Sequence, residues 1–280
     1  MLGRDLVTVL RAGGHQVTAA GRAELDVRDP AAVRAAVGGH HVVVNTAAWT
    51  DVDGAESAYA EALAVNGDAV GVLAASCAQA GARLLHLSTD YVFAGDAASP
   101  YPEDAPTDPI NAYGHSKLAG ELPVLATGGY VVRTAWLYGA HGRNFVTTML
   151  RLAEIRDHVD VVTDQRGQPT WSYALATGLV RLGLRAAAGE VAPGVYHATA
   201  TGDTTWYGLA RAAFAGAGLD PDRIRPTTSD RFPRPAKRPA YSVLGHDRWV
   251  AAGLEPLPDW RSMLAEAMRT GAFSRSTPGA

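Results

Sequence analysis

The chain has 280 residues and a formal net charge of −3, from 25 Lys and Arg against 28 Asp and Glu. That length suits one large or two modest domains with ample core, and the negative balance argues against general nucleic-acid affinity. One cysteine excludes a disulfide framework, the start carries no charged-then-apolar leader, and the longest apolar-rich stretch, near residues 69–80, is too short for a bilayer.

Leu2, Leu6, Val7 and Leu10 recur at helical spacing and predict a helix over residues 2–10, ended by Gly13-Gly14. Residues 15–20 read as a short strand and 30–37 as a helix. Residues 41–45, with the run Val42-Val43-Val44, read as a buried strand. Residues 55–80 form a long Ala-rich helical region, in which Cys77 reads as a small core residue. A strand over 83–87 delivers Ser88 and Thr89 at its carboxyl end. A helix over 111–125 and a strand over 130–134 follow. Beyond Tyr138 come a helix over 143–155, a strand over 160–163 and a polar loop, D-Q-R-G-Q-P-T-W, over 164–171. A helix over 173–188, a strand over 194–198, a helix over 206–215, an Arg/Pro-rich segment and a helix from Trp260 close the chain. Strands alternating with helices predict an α/β fold, a Rossmann-like doubly wound parallel sheet. In such sheets ligands bind at the carboxyl ends of strands, where Asn45, Thr89 and Arg133 fall.

The chemistry concentrates between Ser88 and Glu121. Tyr113 and Lys117 are four apart, which puts them on one face of a helix. An ammonium about 5 Å from a phenol favours the phenolate by roughly 3 kcal/mol at an effective dielectric near 20, about two pK units. That moves tyrosine toward the range of efficient acid–base catalysis. The Thr89 hydroxyl can hold a carbonyl oxygen beside the same phenol. A Thr/Tyr/Lys set is thus suited to protonating a ketone oxygen as hydride reaches its carbon. A chance Tyr-to-Lys spacing of four is roughly a one-in-ten event for so short a motif. Yet only Lys117 and Lys237 among the 25 cationic residues are lysine, so a chain that writes Arg almost everywhere keeps Lys here.

S-T-D-Y-V-F at 88–93, followed by P-I-N-A-Y-G-H-S-K-L-A-G-E at 109–121, resembles the extended short-chain dehydrogenase/reductase superfamily and, within it, the dTDP-4-dehydrorhamnose reductase family. The resemblance runs from Gly3 to about Trp260. It implies a Rossmann-like fold that reduces the C4 ketone of a dTDP-4-keto-6-deoxyhexose with NADPH or NADH. Hydride goes to C4, Tyr113 donates the proton, Lys117 holds the nicotinamide ribose and tunes Tyr113, and Thr89 orients the carbonyl. The expected division is a cofactor-binding domain over 1–160, its sheet completed by parts of 160–200, and a smaller substrate-binding region over 201–280. A dTDP-sugar is the implied partner. No nucleic acid, membrane or metal is expected; the location is cytoplasmic, and a homodimer is a compatible assembly.

The start is unusual. M-L-G-R at 1–4 resembles the last turn of a G-x-x-G-x-x-G signature, with Gly3 as its final glycine, and no strand precedes it. Burying such a central strand contributes on the order of 10 kcal/mol, against a whole-domain stability of about 5–15 kcal/mol. The expectation is that the true start lies upstream of Met1; the alternative is a shortened, inactive relative.

In G-R-A-E-L-D-V, 21–27, the resemblance places Arg22 near the adenosine ribose and Asp26 with Val27 at the adenine. Arg22 suits a 2′-phosphate, or is a solvated surface residue. Thr46, Ala47 and Ala48 in N-T-A-A-W-T resemble the family's cofactor-lining stretch, or form a plain turn. Asn66 matches a position in the cofactor region, or lies on a helix surface. Asp90, Tyr91, Trp136, Tyr138, Asn144, Phe145, Gln168, Pro169 and Thr170 resemble the sugar-nucleotide pocket, the aromatics serving there or in the core. Six cations between Arg223 and Arg238 suit a diphosphate rather than a nucleic acid, or form a solvated run, and Arg238 opens the family's R-P-A-x-S-x-L pattern. Tyr241 stands there where asparagine is usual. The rival readings are a sugar-nucleotide epimerase or dehydratase of the same superfamily, and a non-catalytic regulatory subunit of the same fold.

Overall fold

The computed structural model describes residues 1–273. Leu2–Ala12 form α1, with Leu2 and Leu6 buried. Asp29 caps α2, Pro30–Val37, by accepting from the Ala31 and Ala32 amides. Pro30 sits in the first turn, where its missing N–H leaves nothing unsatisfied. Val42–Asn45 form β1. The helical region expected over 55–80 is divided into a 3₁₀ turn at Gly54–Glu56, α3 at Tyr59–Leu63, a π-helical turn at Ala64–Asp68 and α4 at Ala69–Ala80. Arg83–Thr89 form β2, Ala112–Ala126 α5 and Tyr130–Thr134 β3. Then come α6 at Phe145–Ala153, α7 at Ser172–Ala187 and β4 at Gly194–His197. Helices α8 at Trp206–Gly216, α9 at Asp247–Ala251 and α10 at Trp260–Arg269 complete the set.

The four strands form one parallel sheet in the order β1-β2-β3-β4. Leu85 pairs with Val44 on one side and Tyr130 on the other. Alternation along the strands sends side chains to two cores. Leu85, Leu87, Tyr130 and Val132 pack with Leu2 and Leu6 of α1 and Leu175, Leu179 and Leu182 of α7. Leu84 and Val131 pack with Val33, Val37, Val70, Leu73, Cys77 and Val124. Both faces are covered, as a parallel sheet requires, and β4 supplies the last strand from the 160–200 stretch.

Two expectations change. Residues 15–20 are not a strand. A strand needs a neighbour's backbone, and no strand among the described residues pairs with them. Their side-chain tie is Thr18 Oγ1 to His40 Nε2 at 3.0 Å. The 164–171 stretch is not simply a polar loop. Arg166–Gly167 pairs with Thr204–Thr205, Thr170–Trp171 pairs with Leu137–Tyr138, and Gln168 and Thr170 are buried. A satellite core of Met149, Val161, Ala210, Phe214 and Ile224 sits where Val159–Val162 pairs with Ile224–Thr227.

Candidate active site

β2 ends in Thr89, whose Oγ1 accepts from the Tyr91 amide at 3.2 Å and so caps the short turn Asp90–Val92. Asn111 caps α5, accepting from the Gly114 amide at 2.8 Å. Two glycines let α5 lie against the backbone beside it. A Cβ at Gly114 would stand 2.2 Å from the Tyr91 carbonyl oxygen, and one at Gly120 2.1 Å from that of Asn66. This approach sets Tyr113 edge-on to Tyr91, with ring centroids 5.9 Å apart and planes at 80°.

The Tyr113 phenol faces the Thr89 hydroxyl. Burial raises its pKa above the ordinary value, the charge of Asp90 adds to the rise, and the Thr89 hydrogen bond opposes it. The expected lowering by Lys117 is therefore corrected. Lys117 is buried with its Nζ donating to the Leu87 carbonyl at 2.6 Å and standing 3.4 Å from His86 Nε2. Helical spacing places the two stems on one face, but the strand carbonyl decides where the ammonium goes. Burial pushes Lys117 down to about 8, and Glu121 opposes that shift. Asp90, accepting from Thr89 Oγ1 at 3.0 Å, is pushed up to about 6 by burial.

On the cofactor side, a Cβ at Gly3 would lie 2.9 Å from Thr46 Oγ1. The first turn of α1, which has no side-chain cap, thus abuts the 46–48 loop beyond β1. Free amides at a helix N-terminus suit a pyrophosphate, and the bare Cα at Gly3 keeps that approach open. Arg22 is exposed; Asp26 is exposed too and pairs with Arg28 at 2.7 Å, which holds its carboxyl down to about 2. Val27 is half-buried. Asn66 faces the interior rather than open solvent. Its Oδ1 accepts from the Trp49 amide, and its Nδ2 donates to the Trp49 carbonyl and to Ser116 Oγ. It ties the 46–50 loop to α5.

On the substrate side, Trp136 stacks on Trp206 with centroids 3.6 Å apart and planes at 3°. Its φ of 47° is the one positive value at a non-glycine among the described residues, a strained backbone of the kind that collects at functional sites. Phe145 packs on Trp206 at 4.6 Å. Tyr138 is buried in the main core. Asn144 caps α6 with a reciprocal Thr147 bond. Gln168 Oε1 accepts from the Leu244 amide and Thr199 Oγ1, and its Nε2 donates to the Ala200 and Leu244 carbonyls. Thr170 Oγ1 donates to the Gln168 carbonyl and accepts from the Ala200 amide. Asn144, Gln168 and Thr170 therefore bind protein groups and build the wall. Arg238 pairs with Asp53 at 3.0 Å, and Arg234 with the same carboxylate at 3.6 Å.

His86, Asp53 and Trp206 were not singled out in the sequence. His86 carried a signal, a histidine inside the apolar run Leu84-Leu85-His86-Leu87. Asp53 and Trp206 carried none, because their partners are remote in sequence.

Residues 1–272 match the model of the RmlD substrate binding domain family. The chain belongs to this family. It is 55% identical to a dTDP-4-dehydrorhamnose reductase of Streptomyces griseus, over all of this chain and 94% of that one. It is 50% identical to a dTDP-4-keto-6-deoxy-D-glucose reductase of Streptomyces niveus, over 95% and 93%. A Bacillus anthracis dTDP-4-dehydrorhamnose reductase solved with NADP superposes with a TM-score of 0.91 at 33% identity, covering 96% of this chain and 95% of that one. The fold is also that of a dTDP-glucose 4,6-dehydratase of Streptomyces venezuelae, which superposes with a TM-score of 0.79 at 18% identity, over 98% and 94%. Thr89 ends the inner strand β2, and Tyr113 and Lys117 lie on α5 beside it.

Proposed function

We propose that the chain reduces the C4 ketone of a dTDP-4-keto-6-deoxyhexose, with NADPH or NADH as the hydride source. The observation that carries this reading is the Tyr113 phenol facing the Thr89 hydroxyl at the end of β2, with Lys117 one turn along α5. The names of the Streptomyces reductases support the substrate class, and the NADP complex supports the cofactor.

The raised pKa keeps Tyr113 protonated through neutral pH, so the phenol is a ready donor to the ketone oxygen. Thr89 holds that oxygen in line, and Asp90 and Tyr91 border the sugar ring. Lys117, one turn along α5, would hold the nicotinamide ribose. The first turn of α1 at Gly3, with Thr46, Ala47 and Ala48, would hold the pyrophosphate; Arg22, Asp26 and Val27 would border the adenosine. Asn66 acts by pinning the Trp49 loop. Trp136 and Phe145 face the nucleotide base, Arg238 meets the diphosphate, and Asn144, Gln168 and Thr170 keep the wall in shape.

Residues 1–160 with β4 would form the cofactor-binding part and 201–280 the substrate part of a cytoplasmic enzyme, with which a homodimer is compatible. The test is oxidation of NADPH by purified protein with dTDP-4-keto-6-deoxyhexoses. Net oxidation coupled to a dTDP-6-deoxyhexose product is expected. Tightly held NAD that is returned unchanged during epimerisation or dehydration would overturn the reading.

A further inference from the structure

His86 is fully buried on β2, and its ring bridges two elements. Nδ1 lies 3.0 Å from Asn45 Nδ2 at the end of β1, and Nε2 lies 3.4 Å from Lys117 Nζ on α5. The Asn45 amide is not free to turn. Its Oδ1 accepts from the Ala47 N–H at 3.1 Å, so its NH₂ must be the group that faces His86. Nδ1 is then the acceptor, and the ring proton resides on Nε2. That N–H points at the Lys117 amine, which also donates to the Leu87 carbonyl at 2.6 Å. A protonated Lys117 meets the positive edge of an imidazole, whereas a neutral amine offers it a lone pair.

We infer that His86, held in its Nε2–H tautomer by Asn45, is a positioning residue that limits the positive charge of Lys117. Burial holds His86 well below the ordinary imidazole range and Lys117 adds to that, so the ring stays neutral; burial pushes Lys117 down. Glu121, one turn further along α5, acts the other way on Lys117, but its carboxylate is already occupied by Arg133 and Ser88. The function of this coupling rests on the proposed reductase reading, in which the Lys117 amine holds the nicotinamide ribose and its charge state sets that contact.

The test reads Lys117 directly. Lys117 and Lys237 are the two lysines of the chain, so protein labelled with ¹³C at the lysine ε-carbon gives two signals, with exposed Lys237 as internal reference. In the wild type, Lys117 should titrate well below Lys237. His86→Leu removes the facing N–H, and Asn45→Asp reverses the tautomer, because a carboxylate accepts from Nδ1–H. Both variants should move the Lys117 midpoint up by about one pH unit, a tenfold change in proton affinity, and leave Lys237 in place. The basic limb of the pH–turnover profile should move with it. An unchanged Lys117 midpoint in either folded variant overturns the inference. A moved midpoint in a protein that oxidises no NAD(P)H supports the coupling and counts against the reductase reading alone.

Discussion

Arg133 and Glu121 form a two-pronged ion pair in the interior, Nη2 to Oε2 at 2.7 Å and Nε to Oε1 at 2.9 Å. Ser88 Oγ donates to the same carboxylate at 2.5 Å, so one cluster joins β2, β3 and α5 below Thr89. Removing one member leaves a buried charge alone. Arg133→Met should cost about 3–5 kcal/mol, and Arg133→Met with Glu121→Leu much less. Chemical denaturation of the two variants checks this; equal losses would show that packing, not the stranded charge, sets the cost.

Tyr113→Phe should leave the melting temperature and NADPH affinity near wild type and lower turnover by at least about 100-fold, the usual worth of a positioned acid. Steady-state kinetics with a cofactor titration reads both. Wild-type turnover would remove Tyr113 from the mechanism.

Asp90 is a carboxyl whose folded pKa, about 6, exceeds its ordinary value of 3.8. Between those values the folded chain binds the proton more tightly than the unfolded one, so this group's contribution to stability falls as pH rises through the window. Asp90→Asn should therefore be more stable than wild type at pH 7, by about 3 kcal/mol, with the gain fading toward pH 4. Thermal melts at the two pH values decide it. A gain that does not change with pH would contradict the linkage.

Arg22→Ala should weaken NADPH more than NADH, because the proposed role of the exposed Arg22 is to meet a 2′-phosphate, and Asp26 beside it is occupied by Arg28. Parallel titrations with the two cofactors give the answer; equal losses exclude a 2′-phosphate contact.

Most of the architecture was legible because it is local. Periodicity placed Pro30–Val37 and Tyr130–Thr134 at their bounds, and the helix expected over 111–125 is α5, which Asn111 caps. The strand expected at 15–20 failed for the opposite reason: its sequence suits a strand, but pairing is a property of a neighbour.

The site divides the same way. Sequence alone determined which residues are at hand, Thr89 at a strand end and Tyr113 and Lys117 one helical turn apart, since strand and helix periods are properties of the local chain. Tertiary structure decided what each can do. Lys117 turns to the Leu87 carbonyl and His86 rather than toward the phenol, Asn66 ties a loop to α5, and Trp136 meets Trp206 seventy positions away. Side-chain direction and protonation depend on which remote groups share a buried, poorly screened space, and no spacing along the chain encodes that.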